Sequence, residues 1–252
     1  MKPMKQDPPD IQEVNQSISF IHYLEKNLRD DHTLRKGAQT RERIKIATAK
    51  TLEAMGYHSM RIVDITECAG ISEGSFYVYF TDKKDASLTT LSTFIADFID
   101  FVAPPGAVHA PFESIRAANR RWFKICRANA GLMRCIFQLG DDDADFDRLV
   151  QRARRQWYER ISRNIRFDRR HSDGKAVLLT IYFLGSMMDE IVRKMIVFPD
   201  SDFNDLLEEW NADDASIADA ASLIWMRVFD PSAKPPNDLA PAAQDIAKIM
   251  WI

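Results

Sequence analysis

The segment Ile62-Val63-Asp64-Ile65-Thr66-Glu67-Cys68-Ala69-Gly70-Ile71-Ser72-Glu73-Gly74-Ser75-Phe76-Tyr77-Val78-Tyr79-Phe80 constrains this chain more than any other stretch. It reads as two short helices joined by a tight turn. Gly70 stands where the chain must leave the first helix, and a residue without Cβ adopts φ > 0 there at no steric cost. Ser72 suits the N-cap of the next helix. Ile65, Ile71, Phe76 and Phe80 are spaced to bury one apolar seam between the two. Outward on the second helix remain Glu73, Gly74, Ser75, Tyr77 and Tyr79, small or hydrogen-bonding groups able to approach a groove wall and phosphates. A face used only for packing would not need Gly and Ser, so the pattern is that of a DNA-binding helix-turn-helix.

At these residues the chain resembles the N-terminal domain of the TetR family of bacterial transcriptional regulators. The resemblance rests on Ile62, Asp64-Ile65, Ala69-Gly70-Ile71-Ser72, Gly74-Ser75-Phe76-Tyr77, Tyr79-Phe80 and Lys83, and it covers only Thr40 to Leu91. It implies an all-α protein with a three-helix DNA-binding head and a larger C-terminal helical bundle for ligand binding and dimerisation. The implied divisions are an N-terminal extension at 1–38, the head at 39–90, the ligand-binding and dimerisation domain at 91–230, and a Pro-rich tether with an apolar tail at 231–252. The DNA-contacting set is expected to be Thr40, Arg41, Arg61, Ser72, Glu73, Gly74, Ser75, Tyr77, Tyr79 and Lys83. Two positions depart from the family pattern. Arg61 stands where a Ser or Thr cap is usual, and its guanidinium can bind phosphate. Glu73 stands where many relatives carry Lys; its carboxylate either accepts from a cytosine N4 or faces water.

Charge gives this reading no help. The 252 residues carry a formal net charge of -3. From Gln39 to Thr90 the bases Arg41, Arg43, Lys45, Lys50, Arg61, Lys83 and Lys84 are balanced by Glu42, Glu53, Asp64, Glu67, Glu73, Asp82 and Asp85. Phosphate contact depends on where donors point, and backbone N–H groups at helix N-termini contribute without changing net charge. With 46% apolar residues the chain can bury a sizeable core, and its length allows two domains. Cys68, Cys126 and Cys135 read as buried free thiols of a reducing compartment, with a redox sensor as the alternative. No signal peptide is visible, and the longest apolar run, Ala176 to Met188, is too short to span a bilayer. A cytoplasmic protein is expected, with no membrane partner, metal or cofactor.

Taken in order, residues Met1 to Asp10 read as a disordered start, and Ile11, Val14, Ile18, Ile21, Leu24 and Leu28 predict an amphipathic helix. That helix either docks on its own domains or adds a DNA or partner contact. Arg35 and Lys36 could form an arm along phosphates or the minor groove. Helix one is expected from Thr40 to Met55, with Ile44, Ala47, Thr48, Thr51, Leu52 and Met55 inward and Gly56 as its stop. Helix four, capped by Thr81 or Asp82, is expected from Lys83 to Val102, with the break at Ala103-Pro104-Pro105-Gly106. Later helices are expected at Pro111–Ala128, Ala130–Leu139, Asp145–Ile165, Gly174–Phe198 and Asp214–Phe229, followed by a short amphipathic tail that docks on this chain or its partner. Arg148, Arg152, Arg154, Arg155, Arg160, Arg163 and Arg166 form a stripe, read as a solvated or ion-paired face rather than an anion site. Asp141, Asp143, Asp145 and Asp147 imitate a calcium loop but lack its Gly and its terminal Glu, so they read as acids at a helix N-terminus.

The function implied is a ligand-responsive repressor, homodimeric on a near-palindromic double-stranded operator and released by a small hydrophobic effector such as an acyl-CoA, a steroid or an aromatic compound. Candidate pocket walls are Trp122, Cys126, Met133, Phe137, Trp157, Ile161, Tyr182 and Met187. By resemblance, the last two long helices build the dimer interface, with Ile181, Gly185, Met188, Ile217, Ala221, Ile224 and Trp225 as candidate contacts. The alternative is a protein-binding adaptor of the same fold that has lost specific DNA reading. An enzyme is disfavoured: there is no phosphate loop, zinc spacing or nucleophile elbow, and His22, His32, His58, His109 and His171 are scattered.

Overall fold

The computed structural model describes residues 18–99, 111–164 and 174–251. The chain divides into two compact units, 1–102 and 103–252, and among the described residues every regular element is a helix.

The first unit contains α1 (Phe20–Asp30), α2 (Lys36–Ser59), α3 (Ile62–Ala69), α4 (Glu73–Phe76) and α5 (Lys83–Thr93), the last running on through a π-helical turn, Phe94–Phe98. Helix α1 is the docked helix of the N-terminal extension. Its start is later than the apolar spacing predicts: Ser19 is extended and caps it, accepting from the His22 amide at 3.4 Å, while Ile11 and Val14 lie outside the described residues. The residue that anchors α1 is Phe20, which the periodicity passes over. Phe20 is fully buried, its ring 5.1 Å from Phe94 edge-on and 5.5 Å from Phe98. Aromatic pairs at these separations add to the area term of burial.

Helix α2 begins at Lys36, so Thr40 lies a turn inside it and its hydroxyl donates to the Lys36 carbonyl at 3.0 Å. Gly56 interrupts α2 where a stop is expected, at φ 76 and ψ 167, a region essentially closed to residues with Cβ. Met55 turns out to be 43% exposed, and the fully buried Met60 fills the head instead, with the Thr51 hydroxyl 3.0 Å from its sulfur. Cys126 and Cys135 are buried, but Cys68 is exposed, at the edge of the side of α3 that Ile65, Thr66 and Ala69 bury. Lys83 and its successors form α5, capped by Asp82, whose carboxylate accepts from the Asp85 amide at 2.8 Å. The Ala103–Gly106 break lies outside the described residues.

The second unit contains α6 (Pro111–Ala128), α7 (Ala130–Asp142), α8 (Ala144–Asn164), α9 (Gly174–Val192) continuing into a π-helical turn at Arg193–Val197, α10 (Ser201–Glu209), α11 (Asp214–Phe229) and α12 (Pro241–Met250). Helix α10 is an element the apolar spacing does not reveal; its signal is local, Asp200 accepting from the Phe203 amide at 3.1 Å. Asp143 likewise caps α8, accepting from the Phe146 amide at 2.9 Å, which is the helix-terminus account of that acidic cluster. Along α8 four of the arginines are paired: Arg148 with Asp145, Arg155 with Glu159 at 2.9 Å, Arg154 with Asp189 at 3.3 Å, and Arg160 over the Trp157 ring at 5.6 Å, while Arg152 donates to the Arg148 carbonyl at 3.3 Å. Arg166 lies outside the described residues.

Helix α11 is the centre of this unit, packed by α6 on one side and α12 on another. Its Asp219 has no exposed side-chain surface and is held by two guanidiniums. Arg116 donates to both its oxygens at 3.0 Å, and Arg120 to both at 2.7 Å. The Ala240 amide adds a bond at 3.2 Å, and Arg116 also donates to the Asp238 carboxylate and carbonyl, each at 2.8 Å. The tether is thereby fixed, and α12 lays Ala243 and Ala247 against Leu223 and Met226. The apolar tail thus docks on its own chain. Burial pulls the Asp219 pKa upward, but hydrogen bonds from Arg120, Arg116 and Ala240 outweigh it and hold the carboxyl below the usual range.

A depressed carboxyl contributes stability that is present above its unfolded pKa and lost as pH falls through the folded one. The protection factors of the α12 amides, taken against intrinsic exchange rates at the same pH, are therefore expected to fall on acidification below about pH 4. Asp219→Asn is expected to cost roughly 3 kcal/mol in calorimetric unfolding, because the buried Arg116 and the partly exposed Arg120 lose their counter-charge. Phe20→Ala is expected to destabilise the first unit by about 3 kcal/mol, with exchange in α1 rising first.

Candidate functional site

The turn between α3 and α4 is set by backbone hydrogen bonds. Gly70 is left-handed at φ 66 and ψ 43, its amide donates to the Glu67 carbonyl at 3.2 Å, and the Ile71 amide donates to the Thr66 carbonyl at 3.1 Å. These two bonds close α3 in a Schellman motif. Ser72 then caps α4, accepting from the Ser75 amide at 3.2 Å, with the two hydroxyls 3.0 Å apart. Ile65, Phe76 and Phe80 are buried on the inside of the turn. Opposite them Ser72, Glu73 and Gly74 are exposed, Ser75 and Tyr79 are half-buried, and Tyr77 is 54% exposed. The sequence reading omits one member of this face: Val78, at 75% exposure, stands beside Tyr77. Polarity is the signal used to choose outward residues, and an apolar side chain fails it.

The remaining DNA-contact candidates divide. Near the start of α2, Arg41 stacks its guanidinium over Phe80 at 4.9 Å, and the Tyr79 hydroxyl lies 3.8 Å from the Cβ position of Gly37. Arg61 is 74% exposed at the start of α3, but one edge of its fork is occupied, donating to Asp64 at 3.0 and 3.3 Å. That pairing, with the bond from the Arg61 amide to Asp64 at 2.8 Å, holds the Asp64 carboxyl below its usual range. Asp64 is thus the residue that satisfies the helix start where a Ser or Thr cap is absent. Lys83 is committed to structure: its ammonium donates to the Tyr57 and Met60 carbonyls at 3.1 and 2.8 Å and sits 4.8 Å over the Tyr57 ring. From Ile62 to Asp82 the chain contains neither Lys nor Arg. Cations therefore flank the outward face without belonging to it.

In the second unit Trp157, Ile161, Tyr182 and Met187 come together around Tyr158, Ile181, Leu184 and Trp225. Trp122, Cys126, Met133 and Phe137 do not join this cluster; Phe137 pairs instead with Phe198 at 6.0 Å. Tyr158 is the member the sequence reading misses. It is buried, edge-on to Tyr182 at 4.8 Å, and bonded to Asp189. A Cβ at Gly185 would overlap the Tyr158 hydroxyl, so this glycine serves the packing of α8 on α9. Burial pushes the Asp189 carboxyl up, against the opposing pull of Arg154 and Tyr158, and pushes the Cys126 thiol up strongly.

The dimer candidates lie mostly inside the protomer. Ile181, Gly185, Met188, Ile217, Ala221 and Trp225 are buried within the protomer, and Ile224 is half-buried. The apolar side chains that α9 and α11 turn to solvent are Leu179 at 54%, Phe183 at 67% and Val228 at 45%.

Comparison with known proteins fits this architecture. Residues 46–85 match the family model for bacterial regulatory proteins, tetR family. A Mesorhizobium loti MAFF303099 chain assigned to the TetR-family transcriptional regulators superposes with a TM-score of 0.56 at 17% identity, over 77% of this chain and 98% of that one. The fatty acid degradation regulator FadR from Bacillus halodurans gives 0.53 at 16% identity, over 73% and 93%. FadR from Bacillus subtilis, solved in complex with stearoyl-CoA, gives 0.52 at 13% identity, over 76% and 98%. None of the curated proteins matches the chain by sequence. The helix-turn-helix head thus matches the family model for bacterial regulatory proteins of the tetR family over residues 46–85, and the chain as a whole shares its fold with these structures.

Proposed function

We propose that this DNA-binding regulator is a homodimeric repressor that leaves a near-palindromic operator when a small hydrophobic effector binds the C-terminal unit. The observation that carries the DNA-reading half is the outward face from Ser72 to Tyr79. The Gly70 turn and the buried Phe76 and Phe80 present Tyr77 away from the core in one fixed orientation. Two such heads in a symmetric dimer would enter successive major grooves, and operator symmetry would mirror protein symmetry.

The effector half rests on the aromatic cluster around Tyr158, where Trp157, Ile161, Tyr182 and Met187 offer apolar walls beside the polar Asp189. That mixture suits an apolar ligand with a single polar anchor. The stearoyl-CoA complex of the Bacillus subtilis FadR makes an acyl thioester the first compound to try. Release requires the effector to favour one arrangement of the dimer over the other, since equal affinity for both shifts nothing. Leu179, Phe183 and Val228 are the side chains proposed to meet their symmetry mates. The absence of Lys and Arg between Ile62 and Asp82 keeps one rival in play, an adaptor that binds protein instead of DNA.

Selection of duplexes from a random pool by the full-length protein separates the two. Recovery of a symmetric sequence whose affinity falls with salt supports the repressor; recovery of none favours the adaptor. On the selected operator, Tyr77→Ala is expected to lower affinity about tenfold in fluorescence anisotropy while circular dichroism and dimer mass stay unchanged. Trp157→Ala is expected to shift the effector titration by about tenfold and leave effector-free DNA affinity within about twofold.

A further inference from the structure

We propose that Val78 is a specificity-determining residue that reads the C5-methyl group of a thymine in each operator half-site, an assignment that rests on the DNA-reading role of the head. Val78 is 75% exposed, yet its backbone is not free to turn inward, because Phe76 and Phe80 on either side are 0% and 2% exposed. A lone exposed valine is ordinary on a protein surface. This one lies in the outward segment from Ser72 to Tyr79, just past the end of α4 and next to Tyr77 at 54% exposure.

The neighbouring chemistry narrows what it can read. The commonest specific contact to DNA is a cation donating to guanine O6 and N7, and no Lys or Arg occurs from Ile62 to Asp82. Glu73 can accept from an exocyclic amine, and Ser72, Ser75 and Tyr77 can donate or accept. Val78 has no hydrogen-bonding group, and the apolar feature that base pairs display in the major groove is the thymine methyl. Cytosine and adenine at that position would leave the isopropyl group against polar edges. The head is therefore built to recognise a pyrimidine methyl where other recognition segments use a guanidinium.

The test replaces single atoms on the DNA. In the operator selected by the full-length protein, each thymine is exchanged in turn for deoxyuridine, which removes the methyl and keeps the hydrogen-bonding edge. One position per half-site is expected to lose about fourfold in affinity, and the symmetric double exchange about 16-fold, the scale of one buried methyl each. Val78→Ala should bind the thymine and deoxyuridine operators equally, while Tyr77→Ala keeps the wild-type ratio between them. If every deoxyuridine duplex binds like its parent while scrambled DNA is still rejected, Val78 is not the reader and the DNA-reading role stands. Val78 is likewise excluded as the reader if Val78→Ala retains the preference for thymine. If no duplex is preferred over scrambled DNA, the DNA-reading role itself fails and this assignment falls with it.

Discussion

A single left-handed residue organises the head. Because Gly70 occupies φ 66, α3 can end and α4 begin within three residues, with both orphan ends of the turn satisfied by backbone bonds and by Ser72. A side chain at this position would be forced into an unfavoured region or would open the turn. The consequence is a division of roles along a short segment. Phe76 and Phe80 go to the core, and Tyr77 and Val78 go outward, because the backbone between them has no alternative that keeps both phenyl rings buried. The docking of α1 through Phe20 adds apolar mass behind the head without altering that division.

The second unit depends on a different constraint, a charge with nowhere to go. Asp219 is removed from water, and such a carboxylate is tolerable only when its lone pairs are occupied. Arg116, Arg120 and the Ala240 amide occupy them, from α6 and the tether. Apolar contacts between α6, α11 and α12 would accept several sliding registers, whereas a four-bond fork arrangement accepts one. Register in this bundle is thus an electrostatic property, while its stability comes from the apolar area around it. Tyr158 and Gly185 make the same point by shape: the ring fits only where a Cβ is missing.

Electrostatics separate affinity from reading in the head. Acidic Glu73 and neutral Tyr77 and Val78 face outward, while Arg41 and Arg61 flank them, each partly engaged by Phe80 or Asp64. Lys83, which looks like a phosphate ligand in sequence, instead neutralises the carbonyls at the end of α2, as a cation near a helix C-terminus does. A head of this kind would draw modest affinity from the phosphate backbone and rely more heavily on the base edges it meets.

What the sequence determined alone is what short-range bonding controls. The Gly70 turn, the Ser72 and Asp82 caps, the interruption at Gly56 and the bounds of α6 and α11 all rest on hydrogen bonds or steric limits within a few residues. Composition and pattern carry that information forward unchanged. What only the tertiary structure decided is which side of each helix meets which neighbour. Helices α9 and α11 are apolar around most of their circumference, so periodicity cannot choose a face. Packing chose it, placing Ile181, Gly185 and Trp225 inside the protomer and leaving Leu179 and Phe183 outside. The same holds for Phe20, Tyr158 and Asp219, whose partners lie far away in the chain and leave no trace in local sequence.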